Sequence, residues 1–320
     1  MKILITGITG LLGNHLAREF AKVGEIHGLK RPSSQLRLLG KFAEDIHWHE
    51  GDINDYQSLI KIFDGMDLII HAAGLVSFDP KEEKKLLKVN CHGTANVVNA
   101  MLEGGPKKLI YISSVAALGR SPELRVIDEN HKWAESDWNT PYAISKYLGE
   151  LEIWRGVQEG LQAIVVNPSI LLGKISDKRS SSSIYNYVQE KNKYYPLGTI
   201  NYIDTRDAAK ITLQLFQKET WNERFILNKE SISYKKFLEK MAYRMGKTPP
   251  TKPLKRPFLK IALFGLWVKR LFSPSKNPLN RQTAAIAQQN FEFDNRKINQ
   301  LLDFDYTELE ETFCWALNEK

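Results

Sequence analysis

The chain has 320 residues, of which 42% are apolar and 26% charged, which is the composition of a globular protein with one large or two modest domains. It has no signal-peptide pattern and no apolar run of about 18 residues, so we expect a cytoplasmic protein without a membrane span. The net charge of +8 is concentrated in residues 240–291, which hold eleven Lys and Arg and no acid. No nucleic-acid-binding motif accompanies these cations, so we expect no nucleic acid partner.

The first half of the chain alternates short apolar runs with stretches of helical periodicity. This pattern predicts an α/β fold, a Rossmann-type doubly wound parallel sheet. The predicted strands are 2–6, 25–30, 46–49, 67–71, 108–113 and 162–167, and the predicted helices are 11–22, 56–62, 82–103 and 142–158. Right-handed crossovers would place the carboxyl ends of all strands at one edge of the sheet, where a ligand binds.

The first predicted strand leads directly into a glycine-rich turn and a helix. The turn reads Thr6-Gly7-Ile8-Thr9-Gly10-Leu11-Leu12-Gly13. Glycines at such positions allow a tight turn, the close approach of a pyrophosphate and close packing of the helix on the sheet. Glycine turns also serve purely structural ends, but the strand–turn–helix context favours dinucleotide binding. The predicted cofactor contacts are Gly7, Thr9, Gly10, Leu11, Leu12 and Gly13.

The end of the second strand bears on the choice of cofactor. Lys30 and Arg31 stand where NAD enzymes usually carry an acid for the ribose 2′-hydroxyl, and no acid follows before Glu44. Two cations suit a 2′-phosphate, which favours NADP over NAD, although they could also be a solvated pair at a strand end. After the third strand, Asp52 could accept the adenine amino group or cap the next helix, and Ile53 would line the same groove.

A serine, a tyrosine and a lysine make up the predicted catalytic set. Tyr142 and Lys146 are four residues apart, so they share one face of a helix. A phenol has a reference pKa of about 10, and a nearby ammonium would lower it. Ser114 lies at the end of the fifth strand, where it would orient a substrate oxygen. An isolated Tyr-x-x-x-Lys can be an exposed helical pair, but the preceding glycine turn favours a proton-transfer site.

These motifs together resemble the extended short-chain dehydrogenase/reductases of the epimerase/dehydratase superfamily. The resemblance extends through Asn90 and Gly93-Thr94, Asp128-Glu129, Asn167-Pro168 and Arg206-Asp207 to the tail of the chain. It implies that Ser114, Tyr142 and Lys146 are catalytic. It also implies that the cofactor groove is walled by Ala72, Ala73, Gly74, Pro168 and Ile170. In this family the helices 82–103 and 142–158 can pair two subunits, so a homodimer is an expectation.

Within the superfamily, the residues after Ser114 favour carbonyl reduction. Sugar-nucleotide dehydratases carry an Asp-Glu pair there, whereas this chain has Val115-Ala116. The sequence looks closer to the dihydroflavonol-reductase and 3β-hydroxysteroid-dehydrogenase branch. We therefore expect an NADP(H)-dependent oxidoreductase that interconverts a ketone and a secondary alcohol on a small, fairly apolar molecule. The alternative is a nucleotide-sugar epimerase with tightly bound NAD(P).

The second half of the chain is less regular. We predict that residues 1–173, with 199–228 returning to them, bind the cofactor, and that residues 174–198 and 229–320 bind substrate. A strand at 201–204 is expected to rejoin the main sheet. Residues 255–276 combine apolar and basic side chains, which indicates a packed helix with solvated ends, a contact with anionic membrane or an anionic substrate. Cys91 and Cys314 have no metal-site spacing, so no metal is expected.

Overall fold

The computed structural model describes residues 1–121, 123–174, 182–255 and 281–318. Seven strands form one parallel sheet in the order β3-β2-β1-β4-β5-β7-β11. In chain order the strands are β1 Lys2–Thr6, β2 Glu25–Lys30, β3 His47–Glu50, β4 Leu68–His71, β5 Lys108–Ile112, β6 Val126–Ile127, β7 Gln162–Pro168, β8 Ile170–Leu172, β9 Tyr194–Tyr195, β10 Thr199–Asp204, β11 Glu223–Leu227, β12 Glu230–Ser233, β13 Lys252–Pro253 and β14 Glu292–Phe293. This is the predicted doubly wound α/β fold, and the six predicted strands agree with it to within two residues.

Helices cover both faces of the sheet. They are α1 Leu11–Phe20, α2 Tyr56–Phe63, α3 Glu83–Leu86, α4 Gly93–Glu103, α5 Pro141–Gln158, α6 Ser182–Gln189, α7 Thr205–Gln217, α8 Tyr234–Arg244, α9 Arg281–Ile286, α10 Arg296–Leu301 and α11 Leu309–Leu317. Because side chains alternate along a strand, Ile3 and Ile5 pack with α1 and α7, whereas Leu4 packs with α4 and α5. Both faces are therefore buried, which is why the strands read as nearly continuous apolar runs.

The helix predicted at 82–103 is interrupted. A π-helical turn, Leu87–His92, separates α3 from α4. The Thr94 hydroxyl donates to the carbonyl of Asn90 at 2.8 Å, and Gly93 lies so close to Ile53 that a Cβ would approach that side chain to 2.7 Å. The extra residue in this π-helical turn directs the Asn90 side chain toward Leu75 and Ser145. Such π-bulges often occur at functional positions.

The expectation that residues 201–204 rejoin the main sheet was wrong. They belong to β10, which pairs with β8 and β12 in a separate three-stranded sheet. The strand that joins the main sheet is β11, paired with β7 at the edge. Its sequence, Glu-Arg-Phe-Ile-Leu, does not read as an apolar run, because Glu223 is exposed at the edge and Arg224 pairs with Glu150.

The three-stranded sheet carries a separate apolar cluster with α6, α8 and α11. Its largest buried side chains are Tyr185, Tyr202, Phe237 and Phe313. The last two helices of the described chain are α10 and α11. The structure has no helix among the described residues that is long and apolar enough to cross a membrane. Residues 256–276 of the basic apolar segment lie outside the described part of the chain, and the domain boundaries remain a prediction.

Candidate active site

The glycine turn after β1 has the geometry that a dinucleotide requires. Gly7 has a φ of +68°, and a Cβ there would lie 2.5 Å from the backbone nitrogen of Ala73. A Cβ on Gly13 would lie 2.2 Å from the carbonyl oxygen of Gly7. Gly10 is the N-cap residue of α1, and no side chain in the described part of the chain caps this helix end. The first N–H groups of α1 therefore remain free for a pyrophosphate, so the turn fits the predicted cofactor.

The other predicted groove residues surround this turn. Thr9 is half-buried in the turn, and Leu11 and Leu12 are buried in the first turn of α1. Leu11 lies against Gly173, where a Cβ would come within 2.4 Å of its side chain. The remaining residues follow the carboxyl ends of β4 and β7, at the same edge of the sheet: Ala72, Ala73, Gly74, Pro168 and Ile170.

The ends of β2 and β3 hold the residues predicted to contact the adenosine half. Arg31 is exposed, and its backbone N–H donates to the Ser34 hydroxyl at 3.0 Å. Lys30 instead places its ammonium 5.5 Å from the Trp48 ring centroid. Asp52 accepts hydrogen bonds from the backbone and side chain of Asn54 at 2.9 and 2.8 Å. The cap of α2 is Asp55, so Asp52 is not the helix cap.

A buried histidine lies beneath the glycine turn. The Thr94 hydroxyl already donates to a carbonyl, so it accepts from Nε2 of His71, at 3.0 Å. Nδ1 of His71 therefore accepts from the Thr6 hydroxyl at 2.7 Å. Burial, assisted by the charge of Lys146, lowers the pKa of His71 from 6.5 to about 3. The imidazole is thus neutral, with its proton on Nε2.

This histidine predicts a loss of stability in mild acid. Because the pKa of His71 is lowered in the folded state, its contribution is complete above about pH 6.5 and falls as the pH drops toward its folded pKa. From about pH 6.5 to pH 5 the loss should be about 2 kcal/mol of unfolding free energy. Urea titrations of wild type and of His71→Asn measure it. The variant should be less stable at neutral pH but have a shallower pH slope.

His92 supplies the matched control, because its side chain is exposed. The variant His92→Gln should keep the wild-type slope. An identical slope in His71→Asn would contradict the assignment of a neutral buried imidazole.

Lys146 is buried beside the cofactor groove. Its ammonium donates to the carbonyl of Ile112 at 2.8 Å and to the Tyr111 hydroxyl at 3.0 Å. A Cβ on Gly74 would lie 4.0 Å from Nζ, so the ammonium faces the loop that follows β4. Burial lowers the pKa of Lys146 to about 7, and the negative charge of Glu150 opposes this shift. Lys146 is thus placed to hold a ribose hydroxyl at the groove.

Ser114 and Tyr142 are close enough that the Ser114 hydroxyl acts on the pKa of the Tyr142 phenol. The Tyr142 ring packs edge-on against Phe78 at 5.9 Å between centroids. Burial raises the pKa of Tyr142, whereas Ser114 and the Arg120 guanidinium oppose the rise. The expectation that Lys146 lowers this pKa was wrong, because its ammonium is turned toward Tyr111. A phenol that stays protonated is suited to donate a proton.

Two buried polar side chains, for which no role was predicted, hold Ser114, Tyr142 and Lys146 in position. Nδ2 of Asn90 donates to the carbonyl of Leu75 at 2.9 Å and to the Ser145 hydroxyl at 2.9 Å. Its Oδ1 accepts from the Leu75 N–H at 2.7 Å. Asn90 thereby ties the loop after β4 to α5, which carries Tyr142 and Lys146. The π-helical turn around Asn90 is a structural signal that the sequence does not display.

Glu150 is the second of these side chains, one turn after Lys146 on α5. It accepts from the Ser113 hydroxyl at 2.6 Å and from Asn167 Nδ2 at 2.9 Å, and it pairs with Arg224 at 2.5 Å. Its position four residues after Lys146, on the same face of α5, is visible in the sequence. Its contacts with Ser113 after β5, Asn167 on β7 and Arg224 on β11 are not. This buried network fixes the face of α5 that points at the cofactor groove.

A Rossmann-type sheet with a glycine turn and a Ser-Tyr-Lys set defines an NAD(P)-dependent oxidoreductase of the extended short-chain dehydrogenase/reductase type. The chain belongs to the NAD-dependent epimerase/dehydratase family, whose model matches residues 3–226. This confirms the family, the fold class and the class of cofactor that the sequence predicted.

Individual relatives include both reductases and epimerases. A Synechocystis protein assigned provisionally as a dihydroflavonol 4-reductase is 30% identical over 262 residues, which cover 79% of this chain and 76% of that protein. The Gre2 structure from Candida albicans, in complex with NADPH, has a TM-score of 0.75 at 21% identity and covers 98% of this chain and 96% of its own. A nucleoside-diphosphate-sugar epimerase from Pseudomonas aeruginosa has a TM-score of 0.79 at 21% identity, with 99% and 96% coverage. The last two likenesses show the fold alone.

Proposed function

We propose that this protein is an NADP(H)-dependent oxidoreductase that interconverts a ketone and a secondary alcohol. The observation that carries the proposal is that α5 presents Tyr142, a phenol that burial keeps protonated, one turn before the buried Lys146 and near Ser114. A reductase needs a proton donor at the carbonyl oxygen, and burial keeps this phenol in its donor form. The relationship to the Synechocystis protein supports the same reading.

Ser114, Tyr142 and Lys146 each have a separate role in the reduction of the carbonyl. A nicotinamide cofactor held by the glycine turn and Lys146 would supply hydride to the carbonyl carbon. Ser114 holds the carbonyl oxygen, and Tyr142 gives its proton to that oxygen as negative charge develops there. Lys146 would hold the nicotinamide ribose and, with a pKa of about 7, exchange a proton readily near neutral pH. Oxidation of the alcohol follows the same path in reverse.

The walls of the site support an apolar substrate body. Phe78 packs on Tyr142, and Trp138 packs edge-on against Phe291 at 5.4 Å between centroids. Trp133 stacks on Tyr147 at 4.2 Å. Val115 and Ala116, which take the place of the acid pair of the dehydratases, are buried. Aromatic walls suit an aryl or polycyclic ketone better than a hydroxyl-rich sugar.

The experiment that tests this function follows NADPH consumption with aryl ketones and, separately, the conversion of UDP-sugars. A ketone reductase consumes NADPH in proportion to the ketone added and releases the oxidised cofactor. Conversion of UDP-sugars without net consumption, by a protein that carries tightly bound oxidised cofactor, would instead support the alternative of a nucleotide-sugar epimerase.

The choice of NADP rests on Arg31, whose exposed side chain follows β2. We predict that Arg31→Gln weakens NADPH binding by about tenfold, since a charge-assisted hydrogen bond to phosphate contributes roughly 1.5–3 kcal/mol, and leaves NADH binding unchanged. Titration of each cofactor against tryptophan fluorescence measures both affinities. Lys41→Gln removes an exposed charge from the same region and should alter neither. Equal losses for both cofactors, or tighter NADH binding by wild type, would refute the role of Arg31.

The expected cytoplasmic location and homodimer belong to this proposal as well. On α5, Ile144 and Leu151 are 37% and 43% exposed and lie seven residues apart on one face. Such an apolar stripe supports the pairing of α4 and α5 between two subunits.

A further inference from the structure

Arg120 lies in the candidate active site but has no role in the mechanism above. It follows Gly119, whose φ of +78° ends the short helix Val115–Leu118 after β5. Its backbone N–H donates to Asn139 Oδ1 at 3.0 Å, which fixes the start of the side chain. Its guanidinium carbon lies 5.9 Å from the ring centroids of both Phe291 and Phe293.

Two phenols complete the surroundings of this guanidinium. Its positive charge opposes the rise in pKa that burial causes at Tyr142 and at Tyr234. The two phenols in turn oppose the fall in the pKa of Arg120. Three separate segments therefore meet at Arg120: the loop after β5, Asn139 just before α5 and the region of β14. This is where the cofactor-binding sheet meets the residues predicted to bind substrate.

The guanidinium has no acidic partner within the described part of the chain. Burial lowers the pKa of Arg120, so its surroundings penalise the charge rather than stabilise it. Two other arginines near the sheet do have acidic partners: Arg224 pairs with Glu150 and Arg206 with Asp204. A half-buried guanidinium usually has an anion as its partner, because desolvation without one is costly. The two phenylalanine rings stabilise the cation in part but accept none of its N–H groups.

We propose that Arg120 binds an anionic group of the substrate, a carboxylate or a phosphoryl group, next to the carbonyl that Tyr142 protonates. This inference rests on the proposed function and sharpens it. The substrate is then an amphipathic ketone, with an apolar body against Phe78 and Trp138 and one anionic end. The anion lies near the carbonyl, because only the short helix Val115–Leu118 and Gly119 separate Arg120 from Ser114, and the charge of Arg120 acts on the Tyr142 phenol. The planar donor fork of arginine matches both kinds of oxyanion.

Phenyl ketones with and without an anionic group test the inference. The probes are benzoylformate, its neutral methyl ester, and phenacyl phosphate, each assayed with NADPH. We expect wild type to favour one of the two anions over the ester by at least about tenfold in kcat/KM, and the preferred anion identifies the group. In Arg120→Met, kcat/KM for that anion should fall by about 10- to 100-fold, mainly through KM, while the value for the ester changes little.

Two further variants keep the test clear. Arg120→Lys keeps the charge without the planar fork and should give an intermediate loss. Arg244→Met removes an exposed arginine on α8 and should behave as wild type. Unchanged NADPH affinity in each variant shows that the fold is intact. An equal loss for the anion and the ester would overturn the inference, since Arg120 would then act only on Tyr142.

A binding measurement separates the inference from the proposed function. Mandelate and its methyl ester, added with oxidised NADP, are titrated against tryptophan fluorescence. If wild type reduces no ketone, the proposed function fails. Even then, tighter binding of mandelate than of its ester, lost in Arg120→Met, would support an anion site. Equal binding of the two compounds would overturn it.

Discussion

Tyr142→Phe should lose about a thousandfold in kcat for ketone reduction, within the range that general acid catalysis contributes. The variant keeps the ring that packs against Phe78 but removes the proton that the mechanism delivers. The loss should fall on kcat, because the hydroxyl acts on the carbonyl oxygen as charge develops there. NADPH affinity should stay within about twofold of wild type, since Lys146 and the glycine turn are untouched. Steady-state kinetics and a fluorescence titration measure the two quantities.

Tyr243→Phe is the matched control, because that side chain is 84% exposed on α8. It removes a phenolic hydroxyl elsewhere and should leave kcat unchanged. Near-normal turnover in Tyr142→Phe would eliminate the proposed mechanism, and equal damage in both variants would point to a general loss of structure.

Gly7→Ala should abolish cofactor binding, with a loss of affinity of at least a hundredfold. Two costs add at this position. The φ of +68° disfavours any side chain, and the new methyl would lie 2.5 Å from the backbone of Ala73. The only relief is to separate the turn from the loop after β4, and these two segments form the floor of the groove. Titration with NADPH and thermal unfolding report the two effects.

Gly65→Ala separates the two costs. Gly65 has a φ of +69°, and a Cβ there would have nothing within 4 Å. This variant should pay the conformational cost alone, about 1 kcal/mol of unfolding free energy, and should bind NADPH as wild type does. If Gly7→Ala behaved in the same way, the close approach of the turn to Ala73 would have no importance for cofactor binding.

Much of the fold and part of the site follow from local sequence. Strands buried on both faces read as apolar runs, which made β1, β4, β5 and β7 predictable. The glycine spacing marks the turn, because only glycine tolerates the backbone geometry at Gly7. The four-residue spacing places Tyr142 and Lys146 on one face of α5 wherever that helix packs. These features depend on residues close together in the chain.

The remaining features depend on contacts between distant residues. β11 is recognisable only by its pairing with β7, because an edge strand can begin with charged residues. The pKa of Tyr142 is raised, contrary to expectation, because burial outweighs the charges around it and Lys146 points at Tyr111. Arg120 is an ordinary loop arginine in the sequence. It becomes a candidate anion site only because the chain brings Phe291 and Phe293 to it from about 170 positions away, while no acid of the described residues forms an ion pair with it. The sequence by itself determined the sheet, the turn and the reacting groups, whereas burial and charge pairing, which set what those groups do, arise only when distant segments pack together.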